Sequence, residues 1–138
     1  MKKTALITGI TGQDGSYLAD FLLKKGYKVI GLKRRTSVIS TDRIDHILDD
    51  KKQNFILEYY NLHDSGVFYR LINKYQPDEI YHLAAQSAVE PAYDDPKFDI
   101  LTNSYGTYLL CNLAKQIGVK KFIYTSSVAI YGNKKNEV

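Results

Sequence analysis

Cysteine, tryptophan and long apolar runs are scarce or missing in this chain of 138 residues. It has a single cysteine, Cys111, and no tryptophan. A lone cysteine excludes a disulfide framework and most cysteine-based metal sites. The histidines, His46, His63 and His82, lack the spacing of metal ligands, so we predict no bound metal. No apolar run is long enough to span a membrane, and the first apolar segment runs into glycines instead of a cleavage site. We therefore expect a cytoplasmic protein with no membrane partner.

The chain also lacks a strong excess of charge of either sign. Lys and Arg number 19 and Asp and Glu number 15, which gives a net charge of +4. The basic residues form scattered pairs, not a continuous stripe interleaved with aromatic residues, so we predict no nucleic-acid partner. Only Lys33-Arg34-Arg35 forms a denser basic group. With 44% hydrophobic and 25% charged residues, the composition is that of one ordinary globular domain.

Short apolar runs alternate with helical patterns along the chain. The runs predict five buried strands: Thr4–Thr8, Tyr27–Leu32, Phe55–Tyr60, Glu79–Ala84 and Lys121–Thr125. Strands that alternate with helices predict a parallel sheet with right-handed crossovers. We therefore expect an α/β fold of the Rossmann type, a doubly wound parallel sheet, of which this chain holds the N-terminal five-stranded part.

The helices between these strands have recognisable start and stop signals. We expect a short helix over Thr41–Asp50, and Asp64 as the N-cap of a helix that Pro77 ends. A loop follows over Ala85–Tyr93, and a long helix runs from near Pro96 to about Ile117. Glycines at 26 and 118 are placed to cap the helices that precede them.

A glycine-rich turn lies between the first strand and the first helix. Its spacing is G-x-x-G-x-x-G, from Gly9 through Gly12 to Gly15. Such a turn brings backbone N–H groups and a helix N-terminus up to a pyrophosphate, which a Cβ atom would block. The position after a first strand favours this interpretation over a merely structural turn. The predicted cofactor-binding residues here are Gly9, Ile10, Thr11, Gly12, Gln13, Asp14 and Gly15.

The end of the second strand indicates which dinucleotide binds. An NAD site usually carries an acidic residue there, whereas this chain has Arg34, Arg35, Thr36 and Ser37. An arginine fork suits a 2′-phosphate, and a hydroxyl can add a hydrogen bond. We therefore prefer NADP to NAD as the cofactor; the alternative is a basic surface turn.

Three further strand ends carry candidate residues. Asn61 and Leu62 follow the third strand and are expected to flank an adenine ring. Leu83, Ala84, Ala85, Gln86 and Ser87 follow the fourth strand, where small residues leave room for the nicotinamide ribose or simply allow close packing. We interpret His82, inside that strand, as a core histidine, not as a catalytic residue. Ser127 follows the fifth strand and can hydrogen-bond a substrate, or can act only as a strand-end cap.

The segment Thr8–Gly15, together with Ser126-Ser127 and Tyr131-Gly132, resembles the extended short-chain dehydrogenase/reductases, the NAD-dependent epimerase/dehydratase family. Further segments are most similar to the branch of that family that dehydrates GDP-mannose: Ala5–Ala19, Lys33–Ser37, Arg43–His46, Gln76–Tyr81 and Leu83–Ser87. The resemblance implies an enzyme for a nucleotide-sugar substrate, with GDP-mannose favoured, and a homo-oligomer at full length. It implies hydride transfer from sugar C4 to NADP, loss of water across C5 and C6, and hydride return to C6, with Ser127 as a catalytic residue.

This sequence departs from the family pattern at several positions. Ala129 stands where the dehydratases have the glutamate that removes the C5 proton, Asn61 replaces an aspartate, and Asn103 resembles the epimerases. The resemblance also implies a catalytic Tyr-x-x-x-Lys pair, but Gly132 and the turn-like stretch after it place Tyr131 and Lys135 in the wrong element for that pair. We therefore expect residues 1–138 to be an NADP-binding domain without the substrate domain, and inactive alone. The alternatives are a 4-epimerase or 4-keto reductase, or a non-catalytic NADP-binding module.

Overall fold

One sheet of five parallel strands forms the centre of the molecule. A computed structural model describes residues 2–37, 40–50 and 54–132. The strands are β1 (Thr4–Thr8), β2 (Lys28–Arg34), β3 (Phe55–Tyr60), β4 (Glu79–His82) and β5 (Lys121–Tyr124). Their order is β3-β2-β1-β4-β5, and each neighbouring pair is parallel. The order reverses between β1 and β4, which is the switch point of a Rossmann-type sheet, so the predicted fold class is confirmed.

Helices cover both faces of the sheet. They are α1 (Gln13–Lys24), α2 (Asp45–Leu48), α3 (Ser65–Tyr75), α4 (Val89–Asp94), α5 (Pro96–Asp99) and α6 (Gly106–Ile117). A π-helical segment, Ile100–Tyr105, joins α5 to α6, and a 3₁₀ turn, Val128–Tyr131, follows β5. The predicted long helix from Pro96 to Ile117 is therefore present as three consecutive helical segments.

The predicted helix signals act as expected. The Asp64 side chain accepts a hydrogen bond from the Val67 N–H at 3.1 Å and caps α3. Gly26 and Gly118 follow α1 and α6 with φ angles of +81° and +79°, a conformation that glycine adopts without strain.

Each face of the sheet has its own hydrophobic cluster. Leu6, Ile30 and Ile80 point to the face that α3 and α6 cover. Ala5, Ile7 and Val29 alternate with them and point to the face of α1 and α2. Because successive strand residues face opposite sides, strands buried on both faces are apolar throughout, as the sequence runs are.

Several predicted boundaries are wrong. Strand β2 continues two residues past Leu32, because Lys33 and Arg34 pair with Tyr59 and Tyr60. Strands β4 and β5 end at His82 and Tyr124, earlier than predicted. The helix predicted over residues 41–50 is a single turn, and the loop predicted over 85–93 contains α4.

Within the described ranges, no helix combines the length and the apolar character that crossing a membrane requires. The same ranges contain no group of three or more His, Cys, Asp or Glu residues that could hold a metal ion.

Candidate functional site

A cleft of about 810 Å³ opens along the carboxyl ends of β1, β2, β3 and β4. Ligands of open α/β sheets bind at this edge, beside the switch point. The cleft brings together many predicted cofactor residues from four separate parts of the chain: Gly9, Thr11, Gly12, Arg34, Arg35, Asn61, Leu62 and Leu83 to Ser87.

Other predicted site residues do not line this cleft: Ile10, Gln13, Asp14, Gly15, Thr36, Ser37 and Ser127. The Ile10 side chain is fully buried in the cluster under α1. Ser127 is exposed, and its hydroxyl accepts a hydrogen bond from the Ala129 N–H at 3.2 Å, which caps the 3₁₀ turn. Contacts of these residues with a cofactor or substrate stay a prediction.

The three turn glycines have different reasons to be glycine. A Cβ atom on Gly9 would lie 3.0 Å from the Ala84 backbone nitrogen, and Gly9 has a φ of +72°. A Cβ on Gly15 would overlap the Gly9 carbonyl oxygen. Gly12 lines the cleft and directly precedes α1, and its Cβ would come within 4 Å only of the Gly9 oxygen, at 3.2 Å. At Gly9 and Gly15 the packing of the protein itself excludes a Cβ atom, whereas at Gly12 the protein leaves more room for one.

Basic side chains gather at the end of β2. Lys33, which the sequence analysis did not assign to the site, lines the cleft and is only 7% exposed. Its Nζ lies 5.9 Å from the centre of the Tyr59 ring, and the Arg35 guanidinium lies 5.8 Å from the same ring. No carboxylate in residues 2–37, 40–50 or 54–132 lies within ion-pair distance of Lys33. With Arg34 and Arg70 also in the lining, this end of the cleft is a cationic pocket that suits an anion.

Tyr60 lies between the basic end and the glycine turn. Burial raises the pKa of its hydroxyl, while a backbone hydrogen bond from Gly9 and the charge of Arg34 act in the opposite direction. Tyr60 therefore stays a neutral hydroxyl at the floor of the cleft.

The far wall of the cleft comes from residues that the sequence analysis missed. The His63 ring approaches the Thr102 hydroxyl with its Nε2 at 3.2 Å and meets the Phe98 ring edge-on, at 5.7 Å between centroids. Its backbone N–H donates to the Asn61 side chain at 3.0 Å. Phe98 and Thr102 are distant from His63 in sequence, and no local sequence pattern predicts that they contact it. Tyr59 and Tyr60 end β3, and their position at the carboxyl end of a predicted strand could have indicated them.

The loop Leu83–Ser87 is held at both ends by side chains. The Thr8 hydroxyl oxygen accepts the N–H groups of Leu83 and Ala84, each at 3.1 Å. The Asn103 side chain accepts the Gln86 N–H at 2.8 Å and donates to the Gln86 carbonyl at 2.9 Å. Such pairing fixes the backbone of the loop where it faces the cleft.

His82 is fully buried, with both ring nitrogens in hydrogen bonds. Nδ1 lies 2.7 Å from the Thr8 hydroxyl, and Nε2 lies 2.9 Å from the Thr107 hydroxyl. Burial lowers the pKa of His82 to about 4, so the ring is neutral at physiological pH. The interpretation of His82 as a satisfied core histidine is confirmed.

The hydroxyl-bearing residues Ser127 and Tyr131 lie at the start and the end of the exposed 3₁₀ turn after β5. Tyr131 belongs to the 3₁₀ turn and is 74% exposed, and Lys135 lies outside the described residues. Ala129, in the same turn, carries no group that can move a proton.

Comparison with known proteins identifies the family. Residues 6–138 match the family described as GDP-mannose 4,6 dehydratase. The chain belongs to the GDP-mannose 4,6-dehydratase family. A relative named GDP-mannose 4,6-dehydratase from Vibrio cholerae is 45% identical over 138 residues, which cover 96% of this chain and 37% of the relative. The chain thus spans little more than a third of that relative's length.

Solved structures of related proteins share the fold of this chain. The Bordetella bronchiseptica enzyme WbmH, in complex with NAD⁺, superposes with a TM-score of 0.80 at 32% identity, covering 97% of this chain and 42% of that one. The UDP-glucose 4-epimerase of Thermotoga maritima, with UDP-glucose, gives a TM-score of 0.77 at 29% identity, covering 90% and 38%. The predicted membership in the epimerase/dehydratase group is confirmed.

Proposed function

We propose that residues 1–138 form the NADP-binding domain of an enzyme that dehydrates a nucleotide sugar, with GDP-mannose as the substrate and a homo-oligomer as the complete protein. The observation that carries the cofactor assignment is the cleft in which the glycine turn and the cationic pocket lie together. Family membership supports the substrate class, because the relatives that the chain matches are named for GDP-mannose.

The residues of the cleft fit a dinucleotide. Gly12 leaves space beside the amino end of α1, where backbone N–H groups and the helix dipole favour a pyrophosphate. Asn61 and Leu62 lie at the end of β3, beside the expected position of the adenine. When bound, the nicotinamide accepts and returns a hydride; this chain's own residues bind and orient it.

NADP is favoured over NAD by the charge at the end of β2. Lys33, Arg34 and Arg35 can all approach a 2′-phosphate, and the buried Lys33 gains a counter-ion from it. The cleft at this position has arginine where a ribose hydroxyl would need a carboxylate acceptor. WbmH, by contrast, is a related structure that holds NAD⁺.

Ala129 supports a second candidate, a nucleotide-sugar 4-epimerase or 4-keto reductase. Those reactions need hydride transfer at C4 but no base at C5, so an alanine in place of the dehydratase glutamate leaves them possible. A protein that carries this sequence joined to a substrate domain is incubated with GDP-mannose and NADP, and the product is analysed by NMR. A 4-keto-6-deoxy sugar supports the dehydratase, and a C4-inverted sugar replaces it with the epimerase.

Calorimetry with the 138-residue chain tests the cofactor. We expect NADP to bind at least tenfold more tightly than NAD, and the R34Q/R35Q double variant to remove the difference. A matched control, K120Q/K121Q, removes two exposed charges at the opposite end of the sheet and should leave both affinities unchanged. Equal affinity for both dinucleotides would reject the NADP preference, and binding of neither would reject the proposed domain function.

A further inference from the structure

Three polar side chains and one backbone carbonyl form a continuous chain of hydrogen bonds behind the cleft wall. Thr8 contacts His82 at 2.7 Å, His82 contacts Thr107 at 2.9 Å, and the Thr107 hydroxyl donates to the Asn103 carbonyl oxygen at 2.8 Å. We refer to these residues as the Thr8–Asn103 chain. It links the end of β1 to the π-helical segment, and none of its members lines the cleft.

The hydrogen bonds at Thr8 determine the direction of the whole chain. The Thr8 oxygen already accepts two backbone N–H groups, from Leu83 and Ala84, and these occupy both of its lone pairs. Its own proton must therefore go to His82 Nδ1, which is an acceptor only in the tautomer that carries its proton on Nε2. The Nε2–H then donates to Thr107, and Thr107 donates onward to Asn103. Each O–H and N–H donor along the path therefore has one acceptor.

A charged His82 does not fit this arrangement. Its Nδ1–H would point at a Thr8 oxygen that already accepts two hydrogen bonds, so three donors would converge on one atom. Burial of the ring acts in the same direction and lowers its pKa.

Both ends of the Thr8–Asn103 chain hold the loop Leu83–Ser87. Thr8 holds Leu83 and Ala84 while it immediately precedes Gly9 of the glycine turn. Asn103 holds Gln86 with its side chain while its carbonyl is anchored by Thr107. The distance between the glycine turn and the loop across the cleft therefore depends on His82 and Thr107, which connect the two holding residues.

We propose that His82 and Thr107 are positioning residues for the dinucleotide, which hold the loop Leu83–Ser87 in register with the glycine turn. The proposal rests on the proposed cofactor-binding function. Neither residue can touch the ligand from its place behind the wall, so an effect on affinity must pass through the loop.

Variants of Thr107 separate positioning from simple stability. T107V keeps the shape of the side chain but removes the acceptor for His82 and the donor to Asn103, and we expect NADP binding to weaken three- to tenfold. T107S keeps the hydroxyl and should bind within twofold of the native chain. Y75F is the control, because the Tyr75 hydroxyl donates a hydrogen bond to Glu58 at the C-terminal end of α3. Loss of that hydrogen bond should lower the melting temperature without changing NADP affinity. If T107V does not fold, T107A replaces it in the comparison with T107S and Y75F.

The tautomer of His82 is a second readout that needs no cofactor. In ¹⁵N spectra of the labelled chain at pH 7, His82 should show a protonated Nε2 and an unprotonated Nδ1. The opposite tautomer, or a charged ring, overturns the chain of hydrogen bonds itself. If the tautomer is as expected and T107V binds NADP like the native chain despite a lower melting temperature, the positioning role is overturned. If the native chain binds neither NADP nor NAD, the proposed function fails while the tautomer still decides the hydrogen-bond chain.

Discussion

The side-chain amide of Asn103 forms two hydrogen bonds with the backbone of Gln86: its Oδ1 accepts from the Gln86 N–H at 2.8 Å, and its Nδ2 donates to the Gln86 carbonyl oxygen at 2.9 Å. The same amide nitrogen also donates to the Asp99 carboxylate at 2.9 Å. A single asparagine therefore ties the loop after β4 to the helical segment that follows α5. No other neutral side chain of this size offers both a donor and an acceptor in this geometry.

Replacing Asn103 with aspartate should destabilise the chain and weaken NADP binding. A carboxylate in its place would face the Gln86 carbonyl and the Asp99 carboxylate with no proton to donate. We expect a loss of about 1–3 kcal/mol in the free energy of unfolding, measured by urea denaturation at pH 7. The matched substitution N73D lies on the exposed side of α3 and removes one hydrogen bond, from the Asn73 side chain to the Tyr69 carbonyl. It should lower the free energy of unfolding by less than half as much. Equal losses at the two positions would contradict the assigned role of Asn103.

Alanine substitutions should separate the two kinds of glycine in the turn. G15A places a Cβ atom against the Gly9 carbonyl, so we expect a loss of about 1–3 kcal/mol in stability. G12A meets only one backbone atom, at 3.2 Å, and should cost less in stability but weaken NADP binding more, because Gly12 lines the cleft directly before α1. Denaturation and calorimetry on both variants measure the two effects. A larger stability loss for G12A than for G15A would reject this division.

Replacing Lys33 with methionine should have opposite effects on the free and the bound protein. Without a ligand, Lys33 is a buried cation beside Tyr59, and an apolar side chain of similar length avoids its desolvation cost. We expect the melting temperature of K33M to equal or exceed that of the native chain in buffer alone. NADP affinity should fall about tenfold, because a charge-assisted hydrogen bond to phosphate is lost.

The control for K33M is K120M, at an exposed lysine that pairs with Asp78 at 2.7 Å. Its NADP affinity should equal that of the native chain. A clear drop in the ligand-free stability of K33M, with unchanged NADP affinity, would show that Lys33 serves the fold and not the anion site.

Stability should fall as the pH drops below the ordinary pKa of histidine. His82 has a folded-state pKa of about 4, below the unfolded value of 6.5, so the unfolded state binds the proton more readily. Stability from this residue is fully present above pH 6.5 and decreases by up to about 1.4 kcal/mol per pH unit as the pH falls toward 4. Over that range the loss approaches about 3 kcal/mol.

The variant H82N isolates this contribution to the pH dependence. Lowered carboxyl pKa values, as at Asp78 with its Lys120 partner, also reduce stability in acid, but they affect the native chain and H82N alike. Urea denaturation at pH 7.0 and 5.0 should show a smaller loss for H82N than for the native chain. Equal losses would mean that His82 does not titrate with a lowered pKa.

Much of the fold could be predicted from local sequence. The bounds of β1 and β3 were predicted to the residue, and so were the cap at Asp64 and the helix ends at Gly26 and Gly118. These features depend on neighbours within a few positions of each other, which the chain displays in order. Strand ends were less predictable, because β2 extends to Arg34 only through its pairing with β3.

The residues of the candidate site also divide into those that local sequence predicts and those that depend on the tertiary structure. The glycine turn and the basic residues after β2 are visible as motifs, since a phosphate requires particular residue types at short spacing. Lys33 was recognised as part of the basic group but not as a buried cleft residue, because burial depends on what packs over it. Phe98 and Thr102 reach the cleft from α5 and the π-helical segment, both of which begin more than thirty residues after His63.

The sequence by itself determined the alternation of strands and helices, the glycine turn and the charge at the end of β2, because each depends on residues close together in the chain. Only the tertiary structure decided that Thr8, His82, Thr107 and Asn103 meet, and that Asn103 holds Gln86. Hydrogen bonds between residues up to 76 positions apart depend on which strands lie side by side. That order follows from the packing of helices on both faces of the sheet, a property of the whole fold and not of any segment.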